Sequence, residues 1–317
     1  MTSTFIRGLE NYESTNGRGV VATLGTFDGI HRGHQEILCR VRDYSMKHNL
    51  EPVLITFHPH PRVVVTPSQI PMLLTTIEEK EKFIPDFLDG HVLVLEFNDA
   101  LKNLTADEFV KKVLVDTVNV KKLIVGYDHQ FGKNRSGNIA KLKELGDLYG
   151  FELEVVPPVL MGGKPVSSTR IRTALAEGEF DEAVSLLGHE YAIYGTVERG
   201  IGLGRRLGYP TANVSYSQRK LLPQEGVYAC WVEVAGQSKC GMMFIGQNHF
   251  NPAQKMSVEA NIFDFDQDIY DHEIIVYPSR YIRANRKYET TDALVAQIEK
   301  DKKNVLNILS EGERACL

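Results

Sequence analysis

Long apolar runs are missing from this chain: nowhere do its 317 residues approach the ~20 consecutive apolar residues of a membrane span. The first residues, Met1-Thr2-Ser3-Thr4-Phe5-Ile6-Arg7, lack the apolar core of a secretory signal. Cysteine is scarce, with four residues at 39, 230, 240 and 316 and no Cys-x-x-Cys pair. Neither a disulfide framework nor a zinc ribbon is therefore expected, and a reducing compartment is. Two familiar phosphate-loop patterns are also absent. Gly-x-x-x-x-Gly-Lys-Ser/Thr does not occur, and no Gly-x-Gly is completed to Gly-x-Gly-x-x-Gly. The net charge of −5 excludes a general affinity for nucleic acid, so any anion site must be local. Internal repeats and low-complexity segments are missing too. A soluble cytoplasmic protein without membrane or nucleic-acid partners is expected. With 43% hydrophobic residues, the chain can build about two domains of ordinary size.

Two patterns divide the chain. Short apolar strands at 20–24, 53–57, 92–95, 123–125 and 153–156 alternate with helical stretches at 34–48, 77–88, 105–115 and 139–149. Such alternation predicts a parallel sheet covered by helices, with ligands at the carboxyl ends of the strands. Beyond Leu187-Gly188 the period becomes two, in 228–234, 258–263 and 272–277, with glycine and proline at short intervals. That predicts a small antiparallel barrel. A final helix is expected from 291 to 309. The domains are expected to be 1–187, α/β, and 188–317, mainly β.

The first strand leads into Gly25-Thr26-Phe27-Asp28-Gly29-Ile30-His31-Arg32-Gly33-His34. Glycines allow close backbone approach, and two imidazoles arrive at the start of a helix whose apolar positions are Ile37, Leu38, Val41 and Tyr44. First helical turns favour acidic side chains, yet this one carries His-Arg-Gly-His. An anionic ligand resolves the mismatch. A metal held by His31, His34, His58 and His60, with Asp28, is the rival reading. Phosphate is favoured because Val166-Ser167-Ser168-Thr169-Arg170-Ile171-Arg172 repeats the device, with hydroxyls ahead of two arginines. In the second part, Gly200, Gly202, Gly204 and Gly208 accompany Arg205 and Arg206 and precede Pro210-Thr211-Ala212-Asn213. Glycine-rich backbone can face phosphates, and a hydroxyl beside an amide offers oxygen ligands of the kind Mg²⁺ accepts.

Together these segments resemble the nucleotidylyltransferase superfamily, through its His-x-Gly-His and Ser-Ser-Thr-x-Ile-Arg signatures. The longer form Gly-x-Phe-Asp-Gly-x-His-x-Gly-His is similar to the adenylyltransferase half of bacterial bifunctional riboflavin kinase/FAD synthetases. The loop 126–137 also resembles that family through Asp128, Phe131, Gly132, Arg135 and Gly137, with His129 where phenylalanine is usual. The stretch Gly-x-x-x-Gly-Arg-x-Leu-Gly-x-Pro-Thr-Ala-Asn matches the riboflavin kinase signature. The likeness runs from about residue 15 to 309.

The resemblance implies a Rossmann-like nucleotidylyltransferase domain followed by a small antiparallel β-barrel kinase domain with a terminal helix. It implies phosphorylation of riboflavin by ATP to FMN, then adenylylation of FMN by a second ATP to FAD, with Mg²⁺. By the same token, His31, His34, Arg172 and Glu259 are the catalytic candidates, Glu259 as base. Gly25, Phe27, Gly33, Ser168, Thr169, Gly202, Gly204 and Arg205 would serve ATP and phosphate. Asp128, Arg135 and Arg283 would serve flavin, and Thr211 and Asn213 the metal. Two other readings stay open: a superfamily member adenylylating a pantetheine or nicotinamide phosphate, and a flavin-binding protein that has lost a reaction. Departures from the kinase pattern fall at His249–Pro252, at Asp271 in place of glycine, and at Asn285 in place of glutamate.

Overall fold

The structure, a computed structural model, describes residues 3–14, 17–200, 202–247 and 256–310. It divides into two compact units, residues 1–168 and 169–317. The division falls after the first residue of the helix Ser168–Ala176. It therefore lies ahead of residue 188, where the sequence pattern changes.

The first unit is built on six parallel strands: β1 (Thr4–Arg7), β2 (Val20–Leu24), β3 (Glu51–His58), β4 (His91–Glu96), β5 (Val120–Gly126) and β6 (Glu152–Val156). Their order is β1-β4-β3-β2-β5-β6. All five residues of β2 are buried, because helices cover both faces of the sheet. This is why its sequence reads as an unbroken apolar run. The order reverses at β2, which has β3 on one side and β5 on the other. Open parallel sheets place their ligands at the carboxyl side of such a switch point. The 25–34 segment follows β2 and the 126–137 loop follows β5.

The helix Arg32–His48 buries Ile37, Leu38, Val41 and Ser45. Tyr44, expected on that face, instead reaches out to Glu152, and Ser45 takes the inward place by donating to Leu50 O at 2.7 Å. The helix expected over 77–88 is α-helical only at Ile77–Phe83 and continues as a 3₁₀ turn, Ile84–Asp86. Pro85 accounts for the change, since it removes a helical N–H donor. A short hairpin, β7 (Leu160–Met161) with β8 (Lys164–Pro165), precedes the helix Ser168–Ala176.

The second unit is a closed antiparallel barrel of β9 (Ile193–Glu198), β10 (Ala212–Tyr216), β11 (Gly226–Val234), β12 (Gln237–Gln247), β13 (Met256–Ile262) and β14 (Glu273–Arg283). Its order is β10-β13-β12-β11-β14-β9. The helix Thr291–Ser310 packs on β11 and β12, and the helix Phe180–Leu187 packs on β14. In β11 eight of nine positions are consequently buried. Phe180 meets Tyr191 and Tyr228 edge to face, with centroids 6.4 and 5.6 Å apart. Cys39 and Cys230 are free thiols.

Candidate active sites

In the first unit the 25–34 loop is held from below. Asp28 is 2% exposed, and its Oδ1 accepts the N–H groups of Leu74 and Thr75 at 2.9 and 3.0 Å. Gly29 N donates to Thr75 Oγ1 at 2.8 Å. These bonds keep Phe27 and Ile30 in the left-handed region, with φ of 46° and 43°, where side chains are strained. Both residues are buried, which anchors the strained turn.

His31 caps the helix Arg32–His48, its Nδ1 accepting the His34 N–H at 3.4 Å. A neutral imidazole accepting at Nδ1 carries its proton on Nε2, as a donor for an anion. The rings of His31 and His34 stack with centroids 3.7 Å apart, and Phe27 flanks His34 at 4.7 Å. Burial, then the charges of His31 and Lys80, holds the His34 pKa well below the ordinary imidazole value. His34 is therefore neutral at neutral pH, and its Nδ1 is buried without a hydrogen-bond partner. Gly33 leaves space for the His31 ring, which a Cβ would approach to 3.2 Å. Among the described residues, no group of three or more His, Cys, Asp or Glu is placed to hold a metal, so His58 and His60 do not complete one.

Two of the sequence motifs meet at Ser168, whose Oγ donates to the backbone carbonyl of Asp28 at 2.7 Å. Thr169 and Arg172 follow on the same helix, and Arg170 pairs with Glu182 at 2.7 Å. The loop 126–137 is closed by the Phe131–Gly137 bridge, with Phe131 buried against Phe109. Asp128 and Arg135 remain exposed on it. Sequence reasoning missed Lys80, which is 7% exposed and donates to Thr26 O at 2.5 Å. Its only sequence signal is a lysine in a short amphipathic helix, which ordinarily reads as a solvated charge.

In the barrel, Glu259 lies on β13 directly opposite Asn213 of β10. Thr211 Oγ1 donates to Glu259 Oε2 at 3.2 Å. Burial raises the Glu259 pKa above the ordinary carboxylate value, with the Thr211 bond opposing it. The glycine-rich segment folds against this pair. A Cβ on Gly200 would stand 2.3 Å from Asn213 Nδ2, and one on Gly204 would stand 2.4 Å from Tyr209 O and 3.3 Å from Thr211 Oγ1. Glycine is thus sterically required at 204, whereas a side chain at 200 would displace the Asn213 amide. Gly202 holds φ +67°, and Arg205 lies in the short helix Leu203–Arg206. Beside it opens a cavity of about 430 Å³ lined in part by Tyr209, Pro210, Phe263 and Lys302.

Arg283, an expected flavin contact, is held by the terminal helix. Its Nε and Nη2 donate to buried Asp301 of the terminal helix, at 2.9 and 2.7 Å to Oδ2. Asn285 Nδ2 donates to Ile245 O at 2.9 Å. Asp271 adopts φ +63°, the conformation that the family's usual glycine accepts without strain. The His249–Pro252 departure lies outside the described residues.

Candidate residues thus gather beside a parallel sheet in one unit and in a barrel in the other. A family model for FAD synthetase matches residues 13–170, and one for riboflavin kinase matches residues 187–309. The chain is 38% identical to a bifunctional riboflavin kinase/FMN adenylyltransferase of Pseudomonas fluorescens, covering 93% of this chain and 94% of the relative. It is 35% identical to a protein of the same name from Escherichia coli K12, covering 93% and 95%. The chain belongs to the bifunctional riboflavin kinase/FMN adenylyltransferase family. A crystal structure from Streptococcus pneumoniae, described as a macrolide-efflux protein, is also similar, with TM-score 0.83 and 32% identity over 96% of this chain and 99% of that one. None of the described helices is long and apolar enough to cross a membrane.

Proposed function

We infer that the chain makes FMN from riboflavin and ATP in its barrel, then FAD and pyrophosphate from FMN and a second ATP at the 25–34 loop. The observation that carries this reading is the half-buried Glu259–Thr211 pair beside a glycine-rich loop whose Gly204 admits no side chain. A carboxylate with a raised pKa is suited to accept the proton of a primary hydroxyl. The riboflavin 5′-oxygen attacks the γ-phosphorus, its proton passes to Glu259, and ADP leaves. Backbone N–H groups around Gly202 and Gly204, with Arg205, hold the phosphates. Thr211 and Asn213 offer neutral oxygen ligands that fit Mg²⁺ entering with ATP, and the ion would neutralise phosphate charge. The cavity beside Tyr209 and Phe263 suits the nucleoside part of ATP.

At the first site, an FMN phosphate oxygen attacks the α-phosphorus of ATP and pyrophosphate leaves. No protein nucleophile is needed, so positioning and charge stabilisation carry the catalysis. His31 and His34 donate to the triphosphate, with Gly25, Phe27 and Gly33 shaping its approach. Ser168, Thr169 and Arg172 serve the departing pyrophosphate. Asp128 and Arg135 serve the flavin here and Arg283 in the barrel, where its pairing with Asp301 also fixes the terminal helix. Two domains, each carrying one activity in the cytoplasm, complete the reading, with the boundary moved from the expected 187/188 to ahead of the helix Phe180–Leu187. Incubation of the pure protein with riboflavin, ATP and Mg²⁺ should yield FMN and then FAD. Absence of either product overturns the corresponding half.

A further inference from the structure

Lys80 is a buried cation that the mechanism above does not use. It projects from the helix Ile77–Phe83, which is fixed at its start by a capping box between Thr76 and Glu79. Its Nζ donates to Thr26 O at 2.5 Å, and Thr56 Oγ1 donates to the same carbonyl at 3.3 Å. Both donors lie under the loop, so the Thr26 carbonyl points inward. In a planar trans peptide the C=O and the following N–H point in opposite directions. The Phe27 N–H is thereby turned outward, and it meets no hydrogen-bond acceptor among the described residues. Phe27 also sits at φ 46°, a conformation that needs external support.

The electrostatics agree with this geometry. Asp28 is the acidic group near Lys80, but its Oδ1 is occupied by the Leu74 and Thr75 N–H groups. Burial lowers the Lys80 pKa to about 8 against the pull of Asp28. The ammonium thus stays largely charged at neutral pH, and its field reaches His34. A buried charge is costly to keep, and a structural plug would be served as well by an apolar side chain.

We propose that Lys80 is a positioning residue for adenylyl transfer: it pins the Thr26 carbonyl so that the Phe27 N–H faces the phosphates, and it holds a fixed positive charge beneath them. The proposal rests on the assignment of the 25–34 loop to FAD formation.

The test compares full-length wild type, Lys80→Met and Lys80→Arg for FMN-to-FAD conversion, riboflavin-to-FMN conversion and thermal melting. Lys80→Met is expected to lower kcat for FAD formation by ~10²–10³, as for loss of a preorganised charge-stabilising contact. KM for ATP should move much less, and riboflavin phosphorylation should stay within about twofold. Lys80→Arg, which keeps the charge, should recover at least about tenfold of that loss. FAD formation within about threefold of wild type in Lys80→Met overturns the proposal. So does a loss in both variants that tracks a fall in melting temperature, with no rescue by arginine. Failure of the wild type to make FAD overturns the site assignment instead.

Discussion

Ser168 Oγ and the Asp28 carbonyl are joined by a 2.7 Å hydrogen bond across 140 residues of sequence. The two segments whose cations contradicted the helix dipole are therefore tied at their inner ends. Ser168 serves the neighbouring loop, whereas its position before two arginines suggested a cap for its own helix. Asp28 is used twice, by its carboxylate for the 74–75 backbone and by its carbonyl for Ser168. The loop is thus fixed from both sides before any ligand arrives.

His31→Ala should lower FAD formation by ~10²–10³ while leaving riboflavin phosphorylation near normal, because the imidazole caps the helix behind the 25–34 loop, where adenylyl transfer is proposed, and is no part of the barrel. Product separation by chromatography from one reaction mixture measures both. Equal loss of the two products would remove the two-site assignment.

Glu259→Gln should reduce riboflavin phosphorylation by ~10²–10⁴, while conversion of supplied FMN to FAD persists. The base acts only when deprotonated, and burial raises its pKa. Kinase activity should therefore fall as pH drops through a value above the ordinary glutamate range of about 4.3. An acid limb at or below that range would show that Glu259 is not the titrating base.

The chain beginning at Thr169 should fold and phosphorylate riboflavin, since the helix Phe180–Leu187 packs on the barrel. A chain beginning at Gly188 loses the Phe180 ring from between Tyr191 and Tyr228. It should be less stable by about 3–5 kcal/mol, the usual cost of deleting a buried phenylalanine side chain. Denaturant melts of the two fragments decide this, and equal midpoints would place the boundary at 187/188.

Asp271→Gly should stabilise the barrel by up to about 1 kcal/mol. Relief of the left-handed strain at φ +63° outweighs the backbone entropy that glycine adds. A thermal melt with activity unchanged is expected, and a lowered melting temperature would refute the strain assignment.

Asn285→Glu should raise the KM for riboflavin more than that for ATP. The amide donor to Ile245 O would become an acceptor facing an acceptor, releasing the end of β12. Steady-state kinetics with each substrate varied test this, and an effect confined to ATP counts against the flavin-side placement.

Much of the fold was legible because local rules produced it. Burial on both faces makes β2 a continuous apolar run, and half-burial makes the start of β14 alternate. The strands β9, β10 and β12 nevertheless escaped notice. In β12, Gly241 and Gly246 interrupt the apolar pattern because a Cβ at 241 would collide with Asn261 O and one at 246 with Phe244. The edge strand β1 is too short to announce itself, and only its pairing with β4 makes it a strand.

The kinds of chemistry were written in short motifs: imidazoles at a helix start, hydroxyls before arginines, glycines before Thr211 and Asn213, and Glu259 on a strand. Those residues lie close in sequence to the backbone that presents them, so spacing alone expresses their geometry. Tertiary structure decided the rest. It chose the Ser168 partner, engaged Arg283 with Asp301, counted the helix Phe180–Leu187 with the barrel and buried Lys80 beneath Thr26. Each of these depends on groups distant in sequence and on which charges lose their water, and burial of that kind leaves no periodicity to read.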